Sequence, residues 1–114
     1  PGPVWVSDDG AGLALARSEG KPAFIDFYAD WCAACKELDH KTWSEAAVMA
    51  EAERFVAVKL DLTRRDEANA AKQASYAVPG LPTVIFYSSA GEEVHRFFGF
   101  KPADEVAAIM RGVR

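Results

Sequence analysis

Residues 23–29 read Ala-Phe-Ile-Asp-Phe-Tyr-Ala, an apolar run of β-branched and aromatic residues broken by a single acid. A strand of this kind has no polar face to turn toward water, so it belongs in the interior of a sheet covered on both sides. The rest of the chain supplies the covers. Ser7 stands where a helix N-cap belongs, with Asp8 and Asp9 in the first turn; that helix carries Leu13, Leu15 and Ala16 and stops at Gly20, with Pro22 beyond. Helical character resumes around Cys32 and runs through Lys36, Leu38 and Asp39. A short helix from Ser44 then carries Ala47, Val48, Met49 and Ala52. Residues 55–62 alternate, with Val56, Val58, Leu60 and Leu62 on one face and Ala57, Lys59 and Asp61 on the other. Thr63 is placed to cap a helix over residues 66–75. After the loop Val78-Pro79-Gly80-Leu81-Pro82, residues 83–87 and 93–98 form a hairpin about Ser89-Ala90-Gly91, and Gly99 ends it. A last helix begins at Pro102, with Asp104 and Glu105 near its positive end and Arg111 near its negative end. The order α-β-α-α-β-α-β-β-α, with a short strand at residues 4–6 in front, describes an α/β fold. Its central mixed sheet is flanked by helices and has an N-terminal β-α extension.

One domain over residues 1–114 accommodates all of this, with residues 1–3 (Pro-Gly-Pro) as a linker or cloning remnant. Such a chain buries enough surface to fold without a disulfide framework. Thirteen Lys and Arg against 17 Asp and Glu give a net charge of −4, and no basic cluster exceeds Arg64-Arg65. No nucleic-acid or anionic-membrane partner is expected from that balance. Apolar runs such as Val84-Ile85-Phe86-Tyr87 are far short of the ~20 residues of a membrane span. No basic start followed by an apolar stretch marks a signal peptide.

The chain's two cysteines, in Cys32-Ala33-Ala34-Cys35, follow the buried strand and open a helix. At a helix N-terminus, unpaired N–H groups and the macrodipole favour an anion. The thiolate is the reactive form of cysteine, so Cys32 is the attacking group there. Cys35 lies one turn deeper on the same face, where it can close a disulfide with Cys32 and resolve a mixed disulfide formed with a partner. Three other readings stay open at this point: a structural disulfide, a zinc site that adds His40 and His95, and two inert core cysteines. Trp31 and Lys36, adjacent to the pair, favour a partly exposed reactive site.

The segment Phe27-Tyr28-Ala29-Asp30-Trp31-Cys32-Ala33-Ala34-Cys35-Lys36 resembles the thioredoxin active-site segment, and Pro79-Gly80-Leu81-Pro82-Thr83 resembles that family's cis-proline loop. Within the superfamily the likeness is to the C-terminal periplasmic domain of the thiol:disulfide interchange protein DsbD. It is carried by Tyr-Ala-Asp-Trp-Cys at 28–32, by Cys35-Lys36-Glu37, and by Thr42-Trp43-Ser44, where that family more often has Phe in the middle. The resemblance implies a thioredoxin fold and a protein-disulfide reductase with no cofactor beyond the cysteine pair. Its partners would be protein thiols and disulfides, among them the transmembrane and N-terminal domains of the same polypeptide. It also implies a periplasmic location, service to cytochrome c-type biogenesis, and a monomer as an isolated domain, with a cytoplasmic location as the alternative.

Site residues follow from the same resemblance. Asp26 in the buried strand would help move the proton of Cys35, and desolvation should raise its pKa into a useful range. Asp39, one turn beyond Cys35, would add negative charge near the pair. Lys59 is the residue a thioredoxin would pair with the buried acid. Leu81, ahead of a cis Pro82, would offer its backbone to an extended partner, and Trp31 would shield the disulfide and touch partners. Trp5 and Trp43 are expected in the core, with no chemistry. Ala33-Ala34 gives the Cys32 thiolate no charged donor, so a potential of roughly −200 to −270 mV, that of a reductant or relay, is expected. A free-standing thioredoxin-like reductant and a non-catalytic binding module of the same fold are the alternatives.

Overall fold

The apolar run at 23–28 is the middle strand of a five-stranded sheet in the computed structural model, which describes residues 2–114; Pro1, assigned above to a linker remnant, lies outside the described residues. The elements are β1 (Trp5–Val6), α1 (Asp9–Glu19), β2 (Ala23–Tyr28), α2 (Ala33–Leu38), a π-helical turn (Asp39–Trp43), α3 (Ala46–Ala52), β3 (Val56–Asp61), α4 (Glu67–Ser75), β4 (Thr83–Tyr87), β5 (Glu93–Phe98) and α5 (Ala103–Arg111). Strand order is β1-β3-β2-β4-β5, with β1 and β2 parallel to β3, and β4 antiparallel to both β2 and β5. This is the mixed, helix-flanked sheet with a β-α extension that the element order implies.

Side-chain alternation along β2 divides the core in two. Ile25 and Phe27 join Val58, Leu60, Ile85 and Ala16 on the face that α1 covers. Phe24 joins Leu38, Trp43, Val48, Phe86 and Met110 on the face covered by α2, α3, α5 and the π-helical turn. Asp26 shares the parity of Phe24, so the single acid in the run points into the second of these layers. The strand therefore buries a carboxyl among aromatic rings, a costly arrangement that the apolar pattern alone would not choose.

Four helix starts differ from the sequence reading. Asp8 caps α1, its Oδ2 accepting from the Ala11 N–H at 2.7 Å, and Asp66 caps α4, its Oδ1 accepting from the Asn69 N–H at 2.9 Å. Each aspartate directly precedes its helix with extended backbone angles, so its short side chain reaches the third N–H. Ser7 and Thr63 lie too far upstream to do so. Helix α3 likewise starts at Ala46, with Glu45 and not Ser44 at the cap position, and Pro102 sits at the cap position of α5. On α1, Leu15 is exposed, whereas Ala16 next to it is buried.

Close packing of α1 on β3 depends on one glycine. A Cβ at Gly12 would collide with Val58 Cγ2. Gly12→Ala is therefore expected to destabilise the domain by about 1–3 kcal/mol, the usual cost of overpacking a core, despite alanine's better helix propensity. Chemical denaturation of the two proteins checks this.

Candidate active site

Strand β2 ends at the surface, and the chain turns through Ala29, whose carbonyl accepts the Cys32 N–H at 3.2 Å. Cys32 is the N-cap of α2, with extended backbone angles (φ −94°, ψ 108°), and its Sγ accepts the Cys35 N–H at 3.1 Å. A sulfur held this way replaces the hydroxyl or carboxylate of an ordinary cap, and the same donor would stabilise a thiolate. Cys32 and Cys35 are joined in a disulfide, with Cα atoms 5.2 Å apart. Cys32 keeps 7% of its surface accessible and Cys35 only 1%, so a reacting partner meets Cys32 first.

The rim around the disulfide comes from distant parts of the chain. The Leu81–Pro82 peptide is cis, and Leu81 packs with Ala34 and Tyr28 against the cysteines. Its neighbours are anchored: Thr83 Oγ1 donates to the Gly80 carbonyl at 2.6 Å, and the Gly99 N–H donates to the Pro82 carbonyl at 2.8 Å. Gly80 lies under the Phe98 ring, and a Cβ there would stand 2.8 Å from Phe98 Cε1. Among the described residues the backbone N–H and C=O of Leu81 enter no hydrogen bond. Trp31 is half exposed; its Nε1–H donates to the Thr63 carbonyl at 2.9 Å, and the Arg65 guanidinium lies 4.2 Å from its ring centroid. Between Trp31, Leu62, Arg65, Gln73 and Leu81 opens a cleft of about 470 Å³. Thr63, read from the sequence as a helix cap, instead ties this rim together, because its hydroxyl also accepts the Asp30 N–H at 2.9 Å.

The buried acid lies on β2, the strand that leads into the cysteine pair. Asp26 is 1% exposed; its Oδ2 accepts from Trp43 Nε1 at 3.0 Å, and its Oδ1 is buried without a partner. Burial pushes its carboxyl up to about 7; the Lys59 charge opposes the rise, the Asp39 charge adds to it, and the Trp43 N–H opposes it. Lys59 stands opposite Asp26 in the β2–β3 register, but its ammonium bonds Asp39 Oδ1 at 2.6 Å rather than Asp26. That ammonium also lies 4.8 and 4.7 Å from the ring centroids of Trp5 and Tyr28. Asp39 is thus half of an ion pair with Lys59. Trp43, given no chemistry on sequence grounds, is the one hydrogen-bond donor to the buried acid among the described residues. Periodicity carries no mark of this; the only trace is the Thr42-Trp43-Ser44 run itself.

His40 and His95, the remaining residues of the zinc alternative, do not join the cysteines. Among the described residues no group of three or more His, Cys, Asp or Glu is placed to hold a metal ion, and both sulfurs are consumed in the disulfide. Among the described residues, too, no helix is long and apolar enough to cross a membrane.

Residues 10–114 match the family model described as a thioredoxin-like domain. The chain is 36% identical over 103 residues to the thiol:disulfide interchange protein DsbD of Pseudoalteromonas atlantica, covering 89% of this chain and 17% of that protein. With DsbD of Vibrio vulnificus the identity is 41% over 93 residues, covering 80% of this chain and 16% of that protein. The chain therefore spans about a sixth of the length of the curated relatives it matches. Among solved structures, the oxidised C-terminal domain of Neisseria meningitidis DsbD superposes with a TM-score of 0.78 at 29% identity, covering 97% of this chain and 100% of that one. A thioredoxin from Thermus thermophilus superposes with a TM-score of 0.80 at 28% identity, covering 95% of this chain and 85% of that one. Sequence and fold agree on one assignment: the chain belongs to the thioredoxin-like domain family and, within it, is closely related to the C-terminal domain of DsbD.

Proposed function

We propose that residues 1–114 form a single relay domain that passes electrons by dithiol–disulfide exchange within a DsbD-type polypeptide. The observation that carries this reading is the asymmetry of the pair: both sulfurs share one bond, yet only Cys32 reaches the surface, at the head of α2. In the reduced domain the Cys32 thiolate attacks a partner disulfide, forming a Cys32–partner bond and expelling one partner thiolate. Cys35, as thiolate, then attacks Cys32 Sγ, closes the intramolecular disulfide and expels the second partner thiolate. Two thiols are oxidised and one partner disulfide is reduced. The oxidised domain is then reset by a thiol donor through the reverse steps.

The other residues divide the remaining work. Asp26 takes up and returns the proton of Cys35, a task suited to a carboxyl that titrates near neutrality. Asp39 tunes that acid through its own charge and its hold on Lys59. Leu81 offers its unengaged backbone to an extended segment of the partner, Pro82 directs that backbone toward the cysteines, and Trp31 covers the sulfur pair and forms part of the docking surface. The likeness to DsbD supports a periplasmic domain, monomeric in isolation, fed by a membrane-embedded thiol domain. It would deliver electrons to another domain of the same polypeptide, including for cytochrome c-type biogenesis. Ala33-Ala34 offers no charged donor to the Cys32 thiolate, which favours the reducing direction.

Trapping tests this. Cys35→Ser should accumulate a stable mixed disulfide through Cys32 with the physiological partner, identifiable by mass spectrometry. Trapping through Cys35 in the Cys32→Ser protein instead would reverse the two roles. A second reading, a free-standing thioredoxin-like disulfide reductant, is favoured by the equal structural likeness to the Thermus thioredoxin. A partner caught by Cys35→Ser that is a soluble protein encoded apart from this chain would select that reading.

A further inference from the structure

We infer that Trp43 is a positioning residue for the buried acid: its indole N–H holds Asp26 Oδ2 and leaves Oδ1 as the oxygen that exchanges the proton. The inference deepens the proposed role of Asp26 and rests on it. Three observations carry it. The bond itself is 3.0 Å long and lies between two side chains that are each 1% exposed, so no water competes for either partner. The carboxylate is used unevenly by the protein, because Oδ1 is equally buried and has no protein hydrogen-bond partner among the described residues. A buried oxygen with no protein partner is costly, and a catalytic role is one of the reasons native structures keep such a group.

The third observation is how firmly the donor is held. Trp43 stacks on Phe24 with ring centroids 5.0 Å apart and planes 8° from parallel, and it meets Trp5 edge-on at 5.4 Å. Both neighbours fix the plane of the indole, and with it the direction of its N–H. The residues on either side are pinned as well. Thr42 Oγ1 donates to the Lys101 carbonyl at 2.6 Å, and Ser44 Oγ donates to the His40 carbonyl at 2.6 Å. All of this occurs in the π-helical turn Asp39–Trp43, an irregularity of the kind found preferentially at functional sites. The same turn sets Asp39 against Lys59, so one local distortion supplies two of the groups that control Asp26.

The consequence is a definite sign. An N–H donor stabilises the ionised carboxylate more than the neutral acid, so Trp43 makes Asp26 easier to deprotonate. The charged and titratable groups that interact with the acid are Lys59 on β3, Asp39 on the π-helical turn and Tyr28 on its own strand.

Two measurements decide the matter. In the oxidised wild-type protein, the Trp43 indole N–H resonance should move with pH at the same midpoint as the Asp26 carboxyl carbon. In Trp43→Phe, which keeps an aromatic ring against Phe24 and loses the donor, the Asp26 midpoint should rise by about one pH unit. The acid limb of the pH–rate profile for exchange should rise with it, and Trp43→Phe added to Asp26→Asn should produce no further shift. An indole resonance blind to pH while Asp26 titrates, or an Asp26 midpoint unmoved in Trp43→Phe, overturns the assignment. The wild-type titration decides alone if Trp43→Phe does not fold. Failure of the underlying reading looks different: Asp26→Asn would then leave the pH–rate profile unchanged even with a co-titrating indole, and the bond would lose its part in the chemistry.

Discussion

Cys32→Ser is expected to reduce exchange with any disulfide to background, while Cys35→Ser keeps the first half of the reaction. The reason is positional. Cys32 occupies the cap of α2, where a donor N–H already points at its sulfur, and its edge is the part of the pair that solvent reaches. Cys35 is sealed beneath Ala29, Ala34 and Leu81. Serine at position 32 can replace the capping acceptor, so the fold should persist, but an alcohol of far higher pKa cannot attack sulfur at neutral pH. The measurement is single-turnover reduction of a small aromatic disulfide by each variant, with thiolate release followed by absorbance. Cys35→Ser should release one equivalent and stop as a mixed disulfide. Retained turnover in Cys32→Ser would mean that the buried sulfur is the nucleophile and that the cap geometry is incidental.

Asp26→Asn is expected to make the oxidised domain more stable at pH 8 and to remove most of the pH dependence of its stability. The folded carboxyl titrates at about 7 against an ordinary value of 3.8, so between those values the folded protein holds a proton that the unfolded chain has lost. Stability therefore falls as pH rises from about 4 to about 7, then stays low above that. At about 1.4 kcal/mol per unit, the ionised buried acid costs the wild type roughly 4 kcal/mol at pH 8. Asparagine keeps an oxygen for the Trp43 N–H but buries an amide NH2 beside it, a penalty of about 1–3 kcal/mol when unsatisfied. The net gain at pH 8 is then about 1–3 kcal/mol, and it shrinks or reverses at pH 5, where the wild-type acid is neutral. Denaturant titrations of both proteins at pH 5 and pH 8 test this. A wild-type stability that is flat across that interval would remove the buried, near-neutral acid from the account.

The cost explains why such a residue deserves a role. An apolar side chain at position 26 would pack among Phe24, Trp43 and Lys59's aliphatic stem without desolvating a charge. Retaining an acid there sacrifices stability for a group able to hold a proton near neutral pH, the range in which thiols of a reduced pair exchange theirs. The ion pair of Lys59 with Asp39 fits the same view, since a lysine bonded directly to Asp26 would hold that acid ionised.

Much of the molecule is readable from residue order. The run at 23–28 demands an interior strand because it has no face for water. The alternation of 56–62 separates the layer of Val58 and Leu60 from that of Lys59. Cys32-Ala33-Ala34-Cys35 after a buried strand places a thiol at a helix start, whatever the rest of the fold does. These are local facts: periodicity, spacing and chain direction suffice for them. The helix caps were less legible, because Ser7, Asp8, Thr63 and Asp66 are all competent acceptors. Only the backbone angles of the residue just before each helix choose between them.

What tertiary structure alone decided lies in the contacts between distant segments. Nothing near Trp43 in the sequence says that its indole will meet a carboxyl seventeen residues away, since that requires β2 and the π-helical turn to pack face to face. Nothing near Thr63 says that it will hold Asp30 and Trp31 rather than cap α4, and nothing near Lys59 says that it will choose Asp39 over Asp26. The sequence by itself determined the sheet's interior strand, the acid within it and the cysteine pair at a helix start. Which groups surround that acid was decided by packing, because a hydrogen bond depends on position in space and leaves no period in the chain.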